Sequence, residues 1–219
     1  MCEVVRKNKL ENCYIKPLFF YGEKMGLSPI GAPLHCLIAA WEWSKYLEKE
    51  AVTVKIFSFM RIHHKSSIMT AKISGHYSNS IIASLEASKC GFDEALFLDS
   101  DGNIAEGPGE NIFFVKEKNI FTPKGGHILS GITRDSIMKI AKDLGFKIFE
   151  RDIKPKDLKK YEEAFFVGTA VEVNAIGQID SHIFSKGKEG EVVKKIREAY
   201  QKIIHGEISQ YQTWLSVIK

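Results

Sequence analysis

The sequence has few features of membrane, secreted or metal-binding proteins. Its four cysteines are far apart and form no C-x-x-C pair, which argues against a disulfide framework and a zinc site: Cys2, Cys13, Cys36 and Cys90. No apolar run reaches the ~20 residues that a membrane-spanning helix needs, and the first residues are too polar for a signal peptide. These absences predict a cytoplasmic protein with reduced thiols, no metal and no membrane partner.

Charge of one sign is also scarce, because 31 basic residues face 27 acidic ones and leave a net charge of +4. This surplus is scattered, whereas a surface that binds nucleic acid clusters its basic residues with aromatic residues between them. Nucleic-acid binding is therefore not expected. The chain also lacks internal repeats, and its hydrophobic fraction of 44% is enough for one large domain or two small ones.

Short apolar runs bounded by turn residues predict strands mixed with separate helices. The predicted strands cover residues 14–21, 52–60, 94–98, 104–106, 112–115, 120–121, 146–150 and 164–167. The predicted helices cover residues 78–91, 134–144 and 191–205, whereas residues 34–48 fit either a buried strand or a helix. This order indicates an α+β architecture rather than a doubly wound sheet.

Two of these helices have an expected inner face. Helix 78–91 has three candidate caps followed by an apolar stripe: Ser78, Asn79 and Ser80, then Ile81, Ile82 and Leu85. Gly91 is expected to close it. The inward residues of the last helix are expected to be Val192, Val193, Ile196, Tyr200 and Ile203.

Four short segments carry residue types that enzymes use, although each has an ordinary explanation too. Lys72 stands among small residues before a helix, yet most lysines are solvated surface charges. Residues 106–111, Glu-Gly-Pro-Gly-Glu-Asn, either admit a ligand close to the backbone or form a plain turn. Residues 130–135 open a helix whose N–H groups suit a phosphate or need only a cap. Residues 168–173 follow an apolar strand and form a second, weaker candidate loop.

In combination, the four segments resemble the branched-chain aminotransferases among the fold-type IV pyridoxal-phosphate enzymes. The family motifs are Lys-x4-Tyr, E-G-x-G-E-N-[LIF]-F, G-I-T-R-D and G-T-A-x-E-V, and all four occur here in this order. The resemblance extends to Tyr14-Ile-Lys-Pro-Leu, to the region of Trp43 and Tyr46, and to the C-terminal helix. It implies part of a small α/β domain at residues 1–42, a linker at residues 43–53, and a larger pseudo-barrel domain at residues 54–219 that binds the cofactor.

The resemblance also implies a role for each matching residue. Lys72 holds pyridoxal phosphate covalently and moves a proton during catalysis, Glu106 pairs with the pyridine nitrogen, and Tyr77 donates to the phenolic oxygen of the ring. The phosphate is held by Ile132, Thr133 and Thr169. The substrate is bound by Tyr14, Lys16, Trp43, Tyr46, Thr169 and Ala170.

Two departures from the family pattern bear on binding. Lys16 stands where bacterial relatives have an arginine for the acidic side chain of glutamate, and lysine lacks the bidentate fork, so acceptance of glutamate is left open. The resemblance also begins partway along the family pattern, after most of the small N-terminal domain. Neither Arg61 nor Arg134 matches the arginine that binds the phosphate in the family. Weak cofactor binding is expected of this chain, together with recovery when it is extended upstream.

The function that the resemblance implies is transamination between L-branched-chain amino acids and 2-oxoglutarate, with ping-pong kinetics. The partners are then small amino acids and 2-oxo acids, and a homodimer is expected. D-Amino-acid aminotransferase and aminodeoxychorismate lyase are alternatives within the same fold. A catalytically inactive remnant that binds the cofactor or merely folds is an alternative of another class.

Overall fold

The computed structural model describes residues 1–43 and 46–218. Ser44 and Lys45, within the ambiguous segment 34–48 and the expected linker, and Lys219 at the chain end lie outside the described residues. The chain divides into two compact units, one of Met1–Lys45 with Thr213–Lys219 and one of Tyr46–Gln212. Each unit has its own sheet, and each is described by itself below.

The first unit contains helix α1 (Cys2–Asn8) and an antiparallel pair of strands, β1 (Cys13–Tyr21) and β2 (Leu34–Glu42). The ambiguous segment is therefore a strand as far as Glu42, because its backbone pairs with β1 along the whole of that strand. Pro17 lies within β1, where a two-stranded sheet leaves an open edge that a residue without an N–H tolerates.

The second unit is built on an eight-stranded sheet. Its strands are β3 (Ala51–Met60), β4 (Glu94–Leu98), β5 (Asn111–Lys116), β6 (Asn119–Thr122), β7 (Lys147–Glu150), β8 (Glu163–Gly168), β9 (Glu172–Ile179) and β10 (His182–Ile183). The spatial order is β4-β3-β9-β8-β5-β6-β7, with β10 paired to β9. Strands β4, β3 and β9 run parallel, as do β6 and β7, while β5, β8 and β9 pair antiparallel.

Helices cover this sheet and explain why its central strands are apolar on both faces. They are α2 (Tyr77–Lys89), α3 (Ile132–Asp143) and α4 (Glu191–Ile204). In β5, Phe113 packs in one apolar cluster with residues of α3 and α4, while Ile112 and Phe114 lie in a second cluster. Alternation along the strand thus places successive side chains in different cores.

Most predicted elements are confirmed, with ends that move by one or two residues. Short 3-10 helices also occur at Ser74–His76, Pro155–Lys160, Ser185–Gly187 and Ser209–Trp214. In α4, Val193, Ile196 and Ile203 are buried as expected, and Val192 and Tyr200 are partly buried. Within the described ranges, no helix combines the length and the apolar character needed to cross a membrane.

One strand prediction is corrected, and one central strand was missed. Residues 104–106 form only isolated bridges, because their N–H groups alternate between partners: Ile104 donates to Ile153 O and Ala105 to Phe97 O. Strand β9 was not predicted, because polar residues interrupt its apolar pattern. Its pairing with β3 on one side and β8 on the other makes it a central strand.

Helix α2 corrects both expectations for residues 78–91. It begins at Tyr77 after a 3-10 turn, and no side chain among the described residues caps its first turn. Ile81, Ile82 and Leu85 are 62%, 53% and 55% exposed, and the buried residues are small: Ser80, Ala83 and Ala87. Small side chains allow the helix to pack closely against Phe57 and Phe97 of β3 and β4, so volume rather than hydrophobicity selects the inner face.

Candidate active site

A cavity that is partly open to solvent lies in the second unit at the start of α2. The walls bring together Lys72 and Tyr77 from the first motif with residues 106–111 from the second, and Leu129 adjoins the third. Three predicted cofactor residues, Lys72, Tyr77 and Glu106, therefore share one cavity.

Lys72 reaches the cavity from the irregular segment between β3 and α2. Tight backbone turns position it, with Ala71 N–H donating to Ile68 O at 3.1 Å and Ile73 N–H donating to Ala71 O at 3.0 Å. Lys72 is exposed and lines the cavity wall. Its amine is thus accessible to a ligand, as covalent attachment requires.

Glu106 lies at the base of the cavity and is only 4% exposed. Its Oε1 accepts from Arg61 Nε at 2.7 Å, and its Oε2 accepts from Asn111 Nδ2 at 3.1 Å and from Leu129 N–H at 3.0 Å. Burial raises the pKa of Glu106, and the charge and hydrogen bond of Arg61 oppose that rise. These three donors satisfy a carboxylate that would otherwise be costly to bury.

Arg61 is a site residue that sequence reasoning missed. It follows β3 directly, its N–H donates to Leu98 O at 2.6 Å, and its guanidinium lies 5.8 Å from the centre of the Phe97 ring. From the sequence, Arg61 was compared only with the phosphate-binding arginine of the family, which it does not match. The pairing with Glu106 bridges 45 residues, so no local pattern reveals it.

Asn111 connects the second motif to the third. Besides Glu106, its Nδ2 atom donates to Leu129 O at 3.0 Å. A side chain at Gly131 would overlap the Oδ1 atom of Asn111. The glycine that begins the third motif is therefore required by close packing against the residue that holds Glu106.

Tyr77 is half-buried at the start of α2. Burial raises the pKa of its phenol, and the nearby charge of Glu106 adds to the rise, so the hydroxyl keeps its proton at neutral pH. The helix is fixed to the second motif by Ser80, whose Oγ donates to Pro108 O at 2.9 Å. Tyr77 thus faces the cavity as a hydrogen-bond donor.

The third motif starts helix α3, as predicted, but does not line this cavity. Gly131 is the residue before the helix, Ile132 is 86% exposed, and Thr133 is buried beside the Tyr200 hydroxyl. Arg134 is turned inward, where its Nη2 donates to Pro123 O at 2.8 Å and to Glu150 Oε2 at 2.7 Å. Arg134 is therefore committed to the fold.

The fourth motif lies beside the second. A side chain built on Gly168 would stand 3.2 Å from Gly109 O, so the two glycine loops approach closely. Thr169 is exposed and Ala170 is partly buried, in the turn between β8 and β9. Neither residue is among those that line the cavity.

The predicted substrate residues are divided between the two units. Tyr14, Lys16 and Trp43 belong to the first, where the Tyr14 ring lies 5.2 Å from that of Trp43 and Lys16 is exposed on β1. Tyr46 belongs to the second and donates to Glu94 Oε2 at 3.5 Å. Burial raises the pKa of Tyr46.

A separate group of polar residues lies at the turn after β4. Ligand atoms of Asp99, Asp101 and His127 lie within 4.8 Å of one another. The two oxygens of Asp99 already accept bonds from the N–H groups of Asp101 and Asn103 and from the Asn103 amide. This carboxylate therefore organises its own loop. The nearby pair His63–His64, interpreted as loop surface, stacks with ring centres 4.5 Å apart.

Comparison with known proteins covers nearly the whole chain. The amino-transferase class IV family matches residues 1–179. The branched-chain-amino-acid aminotransferase of Pseudomonas aeruginosa is 41% identical over 220 residues, which are 98% of this chain and 72% of that protein. The resemblance inferred from the four motifs is thus confirmed over a much longer sequence.

Solved structures share the fold. The branched-chain aminotransferase from Thermoproteus uzoniensis with norvaline has a TM-score of 0.95 at 37% identity, covering 100% of this chain and 73% of that one. A second branched-chain amino acid aminotransferase, solved in complex with N-(5'-phosphopyridoxyl)-L-glutamate, has a TM-score of 0.94 at 38% identity, with coverage of 100% and 73%. The expected α+β, fold-type IV architecture is therefore confirmed.

Proposed function

Because the chain belongs to the class IV aminotransferase family, we propose that it transfers amino groups between L-branched-chain amino acids and 2-oxoglutarate, with pyridoxal phosphate as cofactor. The observation that carries this proposal is the cavity that joins an accessible lysine to a buried, hydrogen-bonded carboxylate. The relatives described above support the amino-acid class, since they are named as branched-chain aminotransferases. The solved relative that holds phosphopyridoxyl-glutamate supports 2-oxoglutarate, the oxo acid that corresponds to glutamate.

The residues of the cavity fit pyridoxal phosphate. A buried carboxylate suits a protonated pyridine nitrogen, a phenol suits the ring oxygen, and an exposed amine suits the aldehyde. Glu106, Tyr77 and Lys72 provide these three groups in one cavity. Glu106 Oε1 has only the Arg61 bond among those found in the described residues, which leaves a lone pair for a further donor.

When bound, the cofactor supplies an electron sink for negative charge at the substrate α-carbon. As a free amine, Lys72 Nζ would move a proton between the substrate α-carbon and carbon C4′ of the cofactor. Glu106 holds its negative charge against the ring nitrogen, and Arg61 keeps this carboxylate oriented. Tyr77 would donate its O–H to the phenolic oxygen of the ring.

The remaining assignments complete the proposal. The N–H groups of Ile132 and Thr133 suit a phosphate because they lie at the N-terminus of helix α3. Thr169, in the motif that follows along the chain, offers an exposed hydroxyl. Thr169 and Ala170 are proposed for the substrate carboxylate. Tyr14, Lys16, Trp43 and Tyr46 are proposed for its side chain.

The larger arrangement also belongs to the proposal. We assign residues 1–42 to the small domain, 43–53 to the linker and 54–219 to the cofactor domain. A homodimer and a cytoplasmic location stay predictions. Gel filtration with light scattering tests the first, and cell fractionation tests the second.

Replacement of Lys72 tests the function most directly. We expect Lys72→Ala to abolish turnover and to prevent the mass increase that borohydride reduction gives with pyridoxal phosphate, because the attached amine is gone. Lys65→Ala, at another exposed lysine of the same segment, is the matched control and should keep both properties. A borohydride-stable adduct in the Lys72 variant would assign attachment to another residue.

Substrate choice separates the proposal from its alternatives. Formation of 4-methyl-2-oxopentanoate from L-leucine with 2-oxoglutarate is expected, with no product from D-alanine. Product from D-alanine alone would indicate the D-amino-acid enzyme. Cofactor binding without turnover of either amino acid would indicate the inactive remnant.

A further inference from the structure

A second glutamate of the same loop lines the cavity and has no role in the function proposed above. Glu110 is 4% exposed, and its Oε2 accepts one hydrogen bond, from Gly109 N–H at 2.9 Å. Its Oε1 is buried and has no hydrogen-bond partner in residues 1–43 and 46–218. Gly107 has no room for a side chain because one would overlap Oε2 of Glu110, so the carboxyl is tightly confined.

A third buried glutamate lies close enough to act on it. Glu94 of β4 is 3% exposed and its charge raises the pKa of Glu110. Glu94 has three donors: Oε1 accepts from Ser84 Oγ at 3.0 Å and Ala95 N–H at 2.9 Å, and Oε2 accepts from Tyr46 O–H at 3.5 Å. Two neighbouring carboxyls in a low-dielectric interior cannot both ionise cheaply.

The hydrogen bonds decide which of the two keeps a proton. An ionised carboxylate offers about four acceptor sites and is costly to bury when few of them are used. Glu94 has three donors and Glu106 has three including an arginine, whereas Glu110 has only backbone N–H donors, that of Gly109 and to a lesser extent its own, and its Oε1 has no partner in the described residues. The proton therefore belongs on Glu110.

We propose that Glu110 stands in the cavity as a neutral carboxylic acid, and that loss of its proton converts it into a second cavity carboxylate that weakens binding of the anionic cofactor. This inference deepens the proposed function and rests on it for the identity of the ligand. The neutral acid leaves Glu106 as the single ionised carboxylate among the described residues that line the cavity. Its hydroxyl also provides a donor from a position that otherwise offers only acceptors.

The groups around Glu110 support this assignment. Glu94 from β4, Glu106 from the same loop, and the phenols of Tyr46 and Tyr77 all interact with it electrostatically, and none of them carries a positive charge. The basic side chains on the cavity wall are Arg61, whose Nη1 has no hydrogen-bond partner in the described residues, His76 and Lys72. Arg61 pairs with Glu106, His76 contacts Ser67 Oγ at 2.5 Å, and Lys72 is exposed.

The direction of the pH dependence follows. Burial, and next the charge of Glu94, raise the pKa of Glu110 to about 8. Because this folded-state value lies above that of an unfolded glutamate, folding is favoured at low pH and loses stability as pH rises towards 8. Ligand affinity falls in the same direction once the pH passes that value, by about tenfold for each unit if only the neutral form binds.

The first experiment observes Glu110 without any ligand. Carbon-13 NMR of glutamate-labelled protein follows the side-chain carboxyls between pH 4 and pH 10, and Glu110→Gln identifies the signal. A midpoint near 8 is expected, and Glu94→Gln should lower it because the neighbouring charge is gone. An ordinary glutamate midpoint would overturn the proposal, whatever the fate of the proposed function.

The second experiment measures pyridoxal-phosphate affinity from pH 6.5 to pH 9.5 in wild type and in Glu110→Gln, whose amide imitates the neutral acid. The pH dependence of groups that do not sense the charge of Glu110 cancels in the ratio of the two affinities, so a ratio that changes with pH reports on Glu110 and the groups coupled to it. We expect a ratio near one at pH 6.5 and about tenfold weaker binding by wild type at pH 9. A ratio that stays constant would overturn the effect on binding.

The outcomes of these experiments distinguish failure of the proposed function from failure of the proposal for Glu110. If neither protein binds pyridoxal phosphate at any pH, the proposed function is wrong, and the NMR midpoint still decides the protonation of Glu110. If Glu110→Gln does not fold, the wild-type midpoint and its shift in Glu94→Gln still support or overturn the neutral acid.

Discussion

The two ends of the predicted cofactor site differ in how completely the chain organises them. At the carboxylate end, Glu106 is buried and receives three donors that the protein itself supplies. At the proposed phosphate end, Ile132 and Thr169 are exposed, and Thr133 is buried. The difference indicates that the protein fixes in advance the group that must carry charge in a dry environment. Under the proposed function, binding of the ligand would organise the exposed groups proposed for the phosphate.

Replacement of Arg61 should have the largest effect, because it removes the cation that pairs with Glu106 at the carboxylate end of the site. Arg61→Met leaves Glu106 buried without its cation, which costs about 3–5 kcal/mol of unfolding free energy. Replacing both partners, in Arg61→Met with Glu106→Leu, should recover most of that loss because no buried charge remains unpaired. Urea denaturation of the four proteins measures the effect. Additive losses in the double variant would show that the pair is not coupled.

Glu106→Gln sharpens the contrast with a smaller change. The amide keeps the size of the side chain but supplies no negative charge for the ring nitrogen, so turnover should fall on the order of a hundredfold. Cofactor affinity should fall much less. The comparison of kcat with the dissociation constant for pyridoxal phosphate tests this, and unchanged turnover would assign the ring nitrogen to another group.

Thr169→Ala should have the smallest effect. Loss of one hydrogen bond to a charged phosphate corresponds to roughly 1.5–3 kcal/mol, so cofactor affinity should weaken about tenfold or more. The unfolding free energy should change by less than about 0.5 kcal/mol, because the residue is exposed. Thr213→Ala, at an exposed threonine outside the motifs, is the control. Equal cofactor affinity in both variants would remove Thr169 from the phosphate site.

Sequence reasoning reached the fold and the order of the motifs, because both depend on local patterns. Apolar runs marked the strands of the large sheet, and glycine positions marked the loops between them. It also named Lys72, Tyr77 and Glu106, which the structure brings into one cavity. Their roles stay predictions until the variants above are measured.

What sequence reasoning missed depends on packing between distant segments. From the sequence, Arg61 was compared only with a phosphate ligand, and the structure shows that it contacts Glu106. Glu110 was interpreted as part of a turn, and the structure shows that it is buried and interacts with Glu94. The inner face of α2 was misjudged because the helix selects small residues such as Ala83 and Ala87 for close approach to the sheet. Periodicity records hydrophobicity and cannot register such limits on volume.

The absence of space for a side chain at Gly131 has a mechanical consequence. The first turn of α3 rests directly against the amide of Asn111, and that amide grips the carboxylate of Glu106. The start of α3 and the carboxylate of Glu106 therefore both contact the side-chain amide of Asn111, so a displacement of the helix start should also displace Glu106. The distance between the proposed phosphate site at the start of α3 and the proposed contact of Glu106 with the ring is thus set by this packing.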